Sequence, residues 1–250
     1  MRVKFWLSLL LLFCLGKVTQ AAPPQVRVLS YNIHHAQGND GKFDLERLAK
    51  IIVDCRADLV ALQEVDVKTK RASGVDQAAE LAKLTKLHHA FGSSMPFSGG
   101  EYGNAVLSRW PITSSTKHQL PSEQPNEPRS ALEAKIKPDN GLPELVFLST
   151  HLCHLSERVR TQQAKKLNEI VAADVGPPVL LAGDFNAQYD SDTLRALREK
   201  RWLDSAKHAK VIDYILLRPI DGWRVVELQT LDEPVASDHL PILAVLEWTK

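Results

Sequence analysis

Residues 177–187 read PPVLLAGDFNA, a short apolar run that ends abruptly in polar groups. The run is too brief for a helix and reads as a strand, with Asp184 and Asn186 at its tip. A carboxylate closing an apolar strand has no local reason to be there, since such groups are rarely buried without a partner. The same arrangement recurs along the chain. QVRVLSYNI (25–33) ends around Asn32, DLVALQEVD (58–66) passes through Gln63 and Glu64, and LVFLSTHL (145–152) reaches His151. The cluster Ser237-Asp238-His239 directly precedes a further apolar segment, LPILAVLEW (240–248).

Between these runs the pattern changes period. Asp44 stands as an N-cap before LERLAKIIVDC, where Leu45, Leu48, Ile51 and Ile52 keep helical spacing, and Asp76 caps a second helix over QAAELAKLTK. AVLSRWPI reads as a strand broken by Pro111, and Ser122 to Arg129, with Pro125 and Pro128, as a loop. ALEAKIK and LVFLSTHL suit an antiparallel hairpin around PDNGLP. SERVRTQQAKKLNEIVAAD is helical, SDTLRALREK is a helix capped by Ser191, and VIDYILL and RVVELQ are strands. No repeat is visible. Many strands with irregularly interspersed helices predict an α/β architecture of two packed sheets with helices outside.

The first residues, MRVKFWLSLLLLFCLGKVTQAAPP, have basic residues, an apolar stretch from Phe5 to Leu15 and small residues before Pro23, which is the layout of a secretory signal peptide. The apolar stretch is well short of the ~20 residues of a transmembrane helix, and no stop-transfer segment follows. Phe13 is too bulky to precede a lipidated cysteine at Cys14. The expected organisation is a leader over residues 1–21 and one catalytic domain over 22–250, acting as a secreted or periplasmic monomer without a transmembrane segment. The leader carries Arg2, Lys4 and Lys17, so the remainder has 28 basic against 30 acidic residues. No broad basic excess is left to grip nucleic acid, although a local basic groove stays open. Cys55 and Cys153 form no disulfide framework; two buried thiols is the plainer reading and a single bridge the alternative.

Strand ends on one rim of a sheet converge, so the polar tips can share a site. Carboxylate, amide and imidazole without a cysteine pair suit magnesium, manganese or calcium.

The segments YNI, LQEVD, YGNAVLSRWPI, STHL, GDFNA, IDYIL and ASDHLP occur in the order seen in the endonuclease/exonuclease/phosphatase superfamily, which the chain resembles over about residues 26–248. The resemblance implies a four-layer αββα sandwich with its site at one rim, and hydrolysis of a phosphate ester with Mg2+ or Mn2+. Carried over by position, Glu64 resembles the principal metal ligand, with Asn32 and Asp238 near the metal. Asp184 resembles the aspartate that orients or deprotonates the attacking water, and Asn186 the amide that holds the phosphate. His239 resembles the histidine that stabilises phosphoryl charge, polarised by Asp213, and His151 a further phosphate-contacting histidine. Tyr102, Asn104 and Arg129 resemble substrate contacts.

Other residues carry plainer readings. His34 and His35 are expected to bond locally in a turn, His154 to stand off the substrate, and Arg158 to lie on a solvated helix face. Asp66 and Arg71 are expected to pair beside the site, and Trp202, Trp223 and Trp248 to pack in the core or its rim. The substrate stays open. A nuclease requires a positive groove, an enzyme of phospholipids exposed apolar loops, and a small-phosphate enzyme a narrow arginine-rich pocket. A non-catalytic binding module on the same fold is the reading from a different class. If the leader is cleaved near Ala21, the protein recovered outside the cytoplasm starts close to Ala22; mass analysis finding an intact Met1 there would refute this.

Overall fold

A computed structural model describes residues 23–139, 141–172, 176–199, 202–204 and 211–250; the leader lies outside them. Strand β1 (Gln25–Asn32) passes through helix α1 (Leu45–Asp54) to β2 (Leu59–Val67), which lies parallel to it. Helix α2 (Gln77–Thr85) follows, then β3 (His88–Phe97) and β4 (Gly100–Ser108), an antiparallel pair that attaches to β2 through β4. Next, β5 (Ile112–Gln119) and β6 (Ser130–Ile136) leave this sheet and begin a second one. There β6 pairs with β7 (Leu145–His151), and helix α3 (Glu157–Ile170) carries the chain to β8 (Val179–Asp184), parallel to β7. Helix α4 (Asp192–Arg198), β9 (Leu203–Asp204) and β10 (Asp213–Leu217) follow, with β10 against β8. Finally β11 (Trp223–Thr230) and β12 (Ile242–Trp248) return to the first sheet, where β12 pairs with β1.

The two six-stranded sheets have the orders β11-β12-β1-β2-β4-β3 and β5-β6-β7-β8-β10-β9. Each is a mixed sheet with one parallel pair at its centre, and each half of the chain donates its last hairpin to the other half's sheet. This repeat of topology is invisible in the sequence because no residue pattern accompanies it.

Helix starts follow from side-chain caps. Asp44 accepts from the Arg47 amide at 2.8 Å, Asp76 from Ala79 at 3.0 Å, Ser156 from Val159 at 3.3 Å and Ser191 from Leu194 at 3.2 Å. The helices cover the outer sheet faces. Leu48, Ile51, Ile52 and Leu81 pack on Leu29, Val60 and Leu62 of the first sheet, while Leu167, Leu194 and Leu197 pack on Leu148, Leu181 and Leu216 of the second. Between the sheets lies a third apolar layer with Val28, Ala61, Val106, Leu132, Phe147, Leu180 and Ile215. The resulting order is αββα, with apolar material on both faces of the central strands.

One expectation changes. AVLSRWPI is not one interrupted strand: β4 ends at Ser108, and Trp110 and Pro111 carry the chain from one sheet to the other before β5 begins. Trp110 is buried, with its ring nitrogen donating to Asp139 at 2.7 Å, which pins this crossing. Strands β3 and β5 are not legible in the sequence, because both are sheet edges whose residues are mostly exposed or half-buried and follow no apolar–polar alternation. Cys55 and Cys153 are both free and buried, and Trp202 and Trp223 are buried.

The close approach of β7 and β8 requires glycine at position 183. A Cβ there would sit 2.0 Å from the Thr150 carbonyl oxygen. Gly183→Ala is therefore expected to cost about 1–3 kcal/mol, as overpacking does. It would also spread the strands that set His151 beside Asp184. Urea unfolding followed by circular dichroism would read this; unchanged stability would show that the strands separate freely.

Candidate active site

Strand register assembles the site before any side chain is considered. His151 ends β7 directly beside Asp184, the last residue of β8, and Asp213 opens β10 on the other side of Asp184. In the other sheet Asn32 lies beside Gln63. Glu64 follows at a β-bulge, where the pairing of β2 with β4 shifts between Leu62 and Val65, and it adopts φ 59°. The bulge turns Glu64 out of the strand alternation and into the space between the sheets. Asn186 adopts φ 48°, a conformation asparagine tolerates, and its backbone N–H donates to Asp184 Oδ1 at 2.8 Å.

These tips surround a cavity of about 300 Å³. Glu64, Tyr102, Arg129, His151, Asp184, Asn186 and His239 line it. Asn32 and Asp213 stand behind that lining. The Asn32 amide nitrogen donates to Glu64 Oε1 at 3.0 Å and to Asp184 Oδ2 at 3.1 Å, so in this arrangement it joins two carboxylates rather than offering them its oxygen. Asp213 Oδ2 lies 2.8 Å from His239 Nδ1, and His239 Nε2 lies 3.7 Å from Asp184 Oδ2. Arg129, almost wholly buried, reaches His151 Nδ1 and His154 Nδ1, each at 3.2 Å, and Glu127 at 2.9 Å. His151 Nε2 is 3.0 Å from the Asn186 amide nitrogen and 3.4 Å from Asp184 Oδ2.

Two residues expected here do not line the cavity. Asn104 is buried with its amide nitrogen donating to the Ser130 carbonyl at 2.9 Å, tying β4 to β6, and it does not line the cavity. The Asp238 side chain is about half exposed, 3.9 Å from His34 Nδ1 and outside the cavity lining.

Conversely, His34, His35, Arg71, Met95, Phe97, Glu127 and His154 line the cavity although the sequence assigned none of them to it. Met95 and Phe97 belong to β3, whose strand was itself illegible. Arg71 makes the expected pair with Asp66, at 2.6 and 2.9 Å, and lies 4.4 Å from the Phe97 ring centre. For His34 and His35 the available signal was their position immediately after Asn32 at a strand tip.

The charges differ sharply across this small space. Burial pushes the Glu64 carboxyl up, but the surrounding imidazoles and the Asn32 amide, which donates to it at 3.0 Å, outweigh that and hold the group well below the carboxylate range. Asp184 goes the other way: burial and the neighbouring Asp213 raise it, which makes it a better proton acceptor than an ordinary carboxylate. Burial alone would lower His239. Asp213, by hydrogen bond and charge, together with Asp184 and Asp238, instead pushes it up to about 9. Burial and the Arg129 charge lower His151 and leave it neutral.

One ligand atom from each of His34, His35 and Glu64 lies within 4.8 Å of the others, and so does one from each of Asp184, Asp213 and His239. The second group is a hydrogen-bonded dyad beside a carboxylate, and an imidazolium, protonated on both ring nitrogens, has no lone pair to offer a cation. The first pairs an ionised carboxylate with a buried His35 nitrogen that has no hydrogen-bond partner, so these residues fit a divalent cation.

Removing the anion behind His239 should lower its proton affinity. In the metal-free protein, NMR titration of histidine-labelled samples is expected to show His239 titrating near 9, and Asp213→Asn lowering that value by roughly one to three units. An unchanged titration would mean that Asp213 does not set the ring's charge.

A family model for the endonuclease/exonuclease/phosphatase family matches residues 29–239. The uncharacterized protein YbhP of Escherichia coli (strain K12) is 31% identical over 169 residues, a match that spans 64% of this chain and 66% of that protein's length. Among solved structures, an endonuclease/exonuclease/phosphatase from Beutenbergia cavernae DSM 12333 superposes with a TM-score of 0.74 at 25% identity, over 90% of this chain and 72% of that one. A mannosyl-6-phosphatase of Bacteroides thetaiotaomicron VPI-5482 is similar in fold, with a TM-score of 0.69 at 19% identity, over 89% of this chain and 100% of that one. The chain belongs to the endonuclease/exonuclease/phosphatase family, a family of phosphoric ester hydrolases.

Proposed function

We propose that the protein is an exported, divalent-metal-dependent hydrolase that cleaves a phosphodiester or phosphomonoester by in-line attack of water. The observation that carries this reading is the convergence of Asp184, the Asp213–His239 dyad and Glu64 on one cavity. Asp184, with its raised proton affinity, accepts a proton from the attacking water. Its Oδ1 is fixed by the Asn186 backbone and its Oδ2 by Asn32, so the water meets a carboxylate that does not rotate. Protonated His239, held at Nδ1 by Asp213, presents Nε2 to the phosphoryl oxygens and offsets the charge that develops on them. Asn186 and Arg129 hold the phosphate from the side. A divalent cation beside Glu64 would offset charge on a phosphoryl oxygen or the leaving alkoxide.

The cavity's size and its two arginines, Arg71 and Arg129, favour a compact phosphate group over a long nucleic-acid strand. A second reading has its own support. Phe43, Leu155, Val235 and Leu240 are exposed on the loops next to His35, His154, Ser237 and His239, with Leu155 the most exposed at 64%. Apolar groups at the mouth of a phosphate site suit a lipid headgroup presented at a membrane surface.

Single-turnover hydrolysis of bis-p-nitrophenyl phosphate and p-nitrophenyl phosphate, with and without chelator, tests the reaction. Phospholipid vesicles, inositol phosphates and nucleic acid then separate the substrates. Asp184→Asn or His239→Ala is expected to lower turnover by ~10²–10³ while folded, and the double variant by much less than the product. Glu64→Gln is expected to weaken the metal dependence. Near-normal turnover in folded His239→Ala would remove the assigned roles.

A further inference from the structure

Directly after Asn32, three successive non-glycine residues, His34, His35 and Ala36, adopt φ of 44°, 44° and 66°. The turn is held by the Ala36 amide donating to Ile33 O and the Gln37 amide donating to His34 O, both at 2.8 Å, and by the His34 amide donating to Asn32 Oδ1 at 3.1 Å. It presents two adjacent imidazoles to Glu64, whose own backbone is left-handed at the bulge.

Hydrogen bonding fixes which nitrogen of each ring is free. His34 Nδ1 lies 3.1 Å from the Gln37 carbonyl oxygen. A carbonyl only accepts, so Nδ1 carries the proton and Nε2 keeps its lone pair. His35 Nε2 lies 3.2 Å from Gln37 Oε1, and the Gln37 amide nitrogen turns away to donate to the Gly41 carbonyl. His35 Nε2 therefore carries its proton and Nδ1 keeps its lone pair. That Nδ1 is buried in a residue only 7% exposed, has no hydrogen-bond partner among the described residues, and lies 4.0 Å from Glu64 Oε2. Glu64 Oε1 already accepts from Asn32, so Oε2 is the oxygen left over. A buried acceptor, His35 Nδ1, thus faces a partly exposed carboxylate oxygen with no proton between them to share, an arrangement that a cation in the gap would satisfy.

We infer that His34, His35 and Glu64 form a mixed nitrogen and oxygen site that selects a first-row transition cation over magnesium. The inference rests on the reading of Glu64 as a metal ligand and deepens it. Magnesium prefers oxygen donors and retains water, whereas imidazole suits cobalt, iron, nickel and zinc. Two histidines and a glutamate also form a three-ligand set that leaves positions open for water and substrate. Gln37 acts on both rings through its backbone and side-chain oxygens, in the manner of the outer partners that orient ligating histidines.

The test is direct binding of Co2+, Mn2+ or Mg2+, each added alone to the metal-free protein, by calorimetry and by electron spin-echo spectroscopy of bound Mn2+. Wild type is expected to show nitrogen coupling to the bound ion. His35→Gln is expected to bind Co2+ at least about tenfold more weakly, with Mg2+ affinity much less changed. The selective loss is the readout, since most donor sets rank cobalt above manganese. Absence of nitrogen coupling in wild type overturns the assignment even if the variants fail to fold. Coupling that persists unchanged in His34→Gln and His35→Gln overturns it too, because His151, His154 or His239 would then supply the nitrogen. Failure of this site and failure of the hydrolase reading look different. Metal-dependent hydrolysis by a wild type whose bound Mn2+ shows no nitrogen coupling sinks the site alone, whereas nitrogen-bound cobalt in a protein that cleaves no phosphate ester sinks only the activity.

Discussion

The Asn32 amide nitrogen donates to Glu64 Oε1 and Asp184 Oδ2, and these two carboxylates belong to different sheets. Left to themselves, two acids facing each other across a sheet-to-sheet gap would repel, and each would lose its hydration. One NH2 group answers both at once, with a proton for each. Its backbone is fixed in turn by the Ser237 hydroxyl, which donates to Asn32 O at 2.7 Å and stands two residues before His239. Glu64, Asp184 and His239 are therefore positioned by one short chain of contacts running through a single buried asparagine.

That shared amide also separates the two acids chemically. Glu64 looks toward His34 and His35 and is held ionised, while Asp184 looks toward buried Asp213 and is held ready for a proton. Pairs of titratable groups driven apart by their surroundings are how one site obtains a charge anchor and a base from the same residue type. The fold supplies the difference through strand order, because β10 brings Asp213 beside Asp184, while the bulge in β2 sets Glu64 next to His34 and His35.

The sequence made the central strands legible because they are buried on both faces, so that Val179 to Ala182 or Leu59 to Leu62 could be little else. Their polar tips stand out against that background, which makes Glu64, Asp184 and His239 legible from the residue pattern alone. Edge strands had no such contrast. Gly92 to Phe97 and Ile112 to Gln119 mix polar and apolar residues without period, and Met95 and Phe97 went unnoticed with their strand. By residue type His34 and His35 read as turn residues, and they are in a turn; nothing in residue type reveals a left-handed backbone that swings two rings inward. Asn104 shows the opposite failure. Its place in a familiar motif suggested substrate, but an amide facing a neighbouring strand's carbonyl is drawn into that pairing. Side-chain direction at such positions depends on a partner far away in the chain.

The exchange of hairpins between the two halves constrains how the chain can be made. Strand β1 is flanked by β2, which is local, and by β12, which is more than two hundred residues downstream. Likewise β6 finds β7 within a few residues, but the first half alone can complete neither sheet. Contacts of such span must pay loop-closure entropy before they return any stability, so they form late. As the chain leaves the ribosome, its first sheet keeps an open edge at β1 until the last strand emerges. A polypeptide built this way acquires its final shape only once its last strand is free to pair with its first.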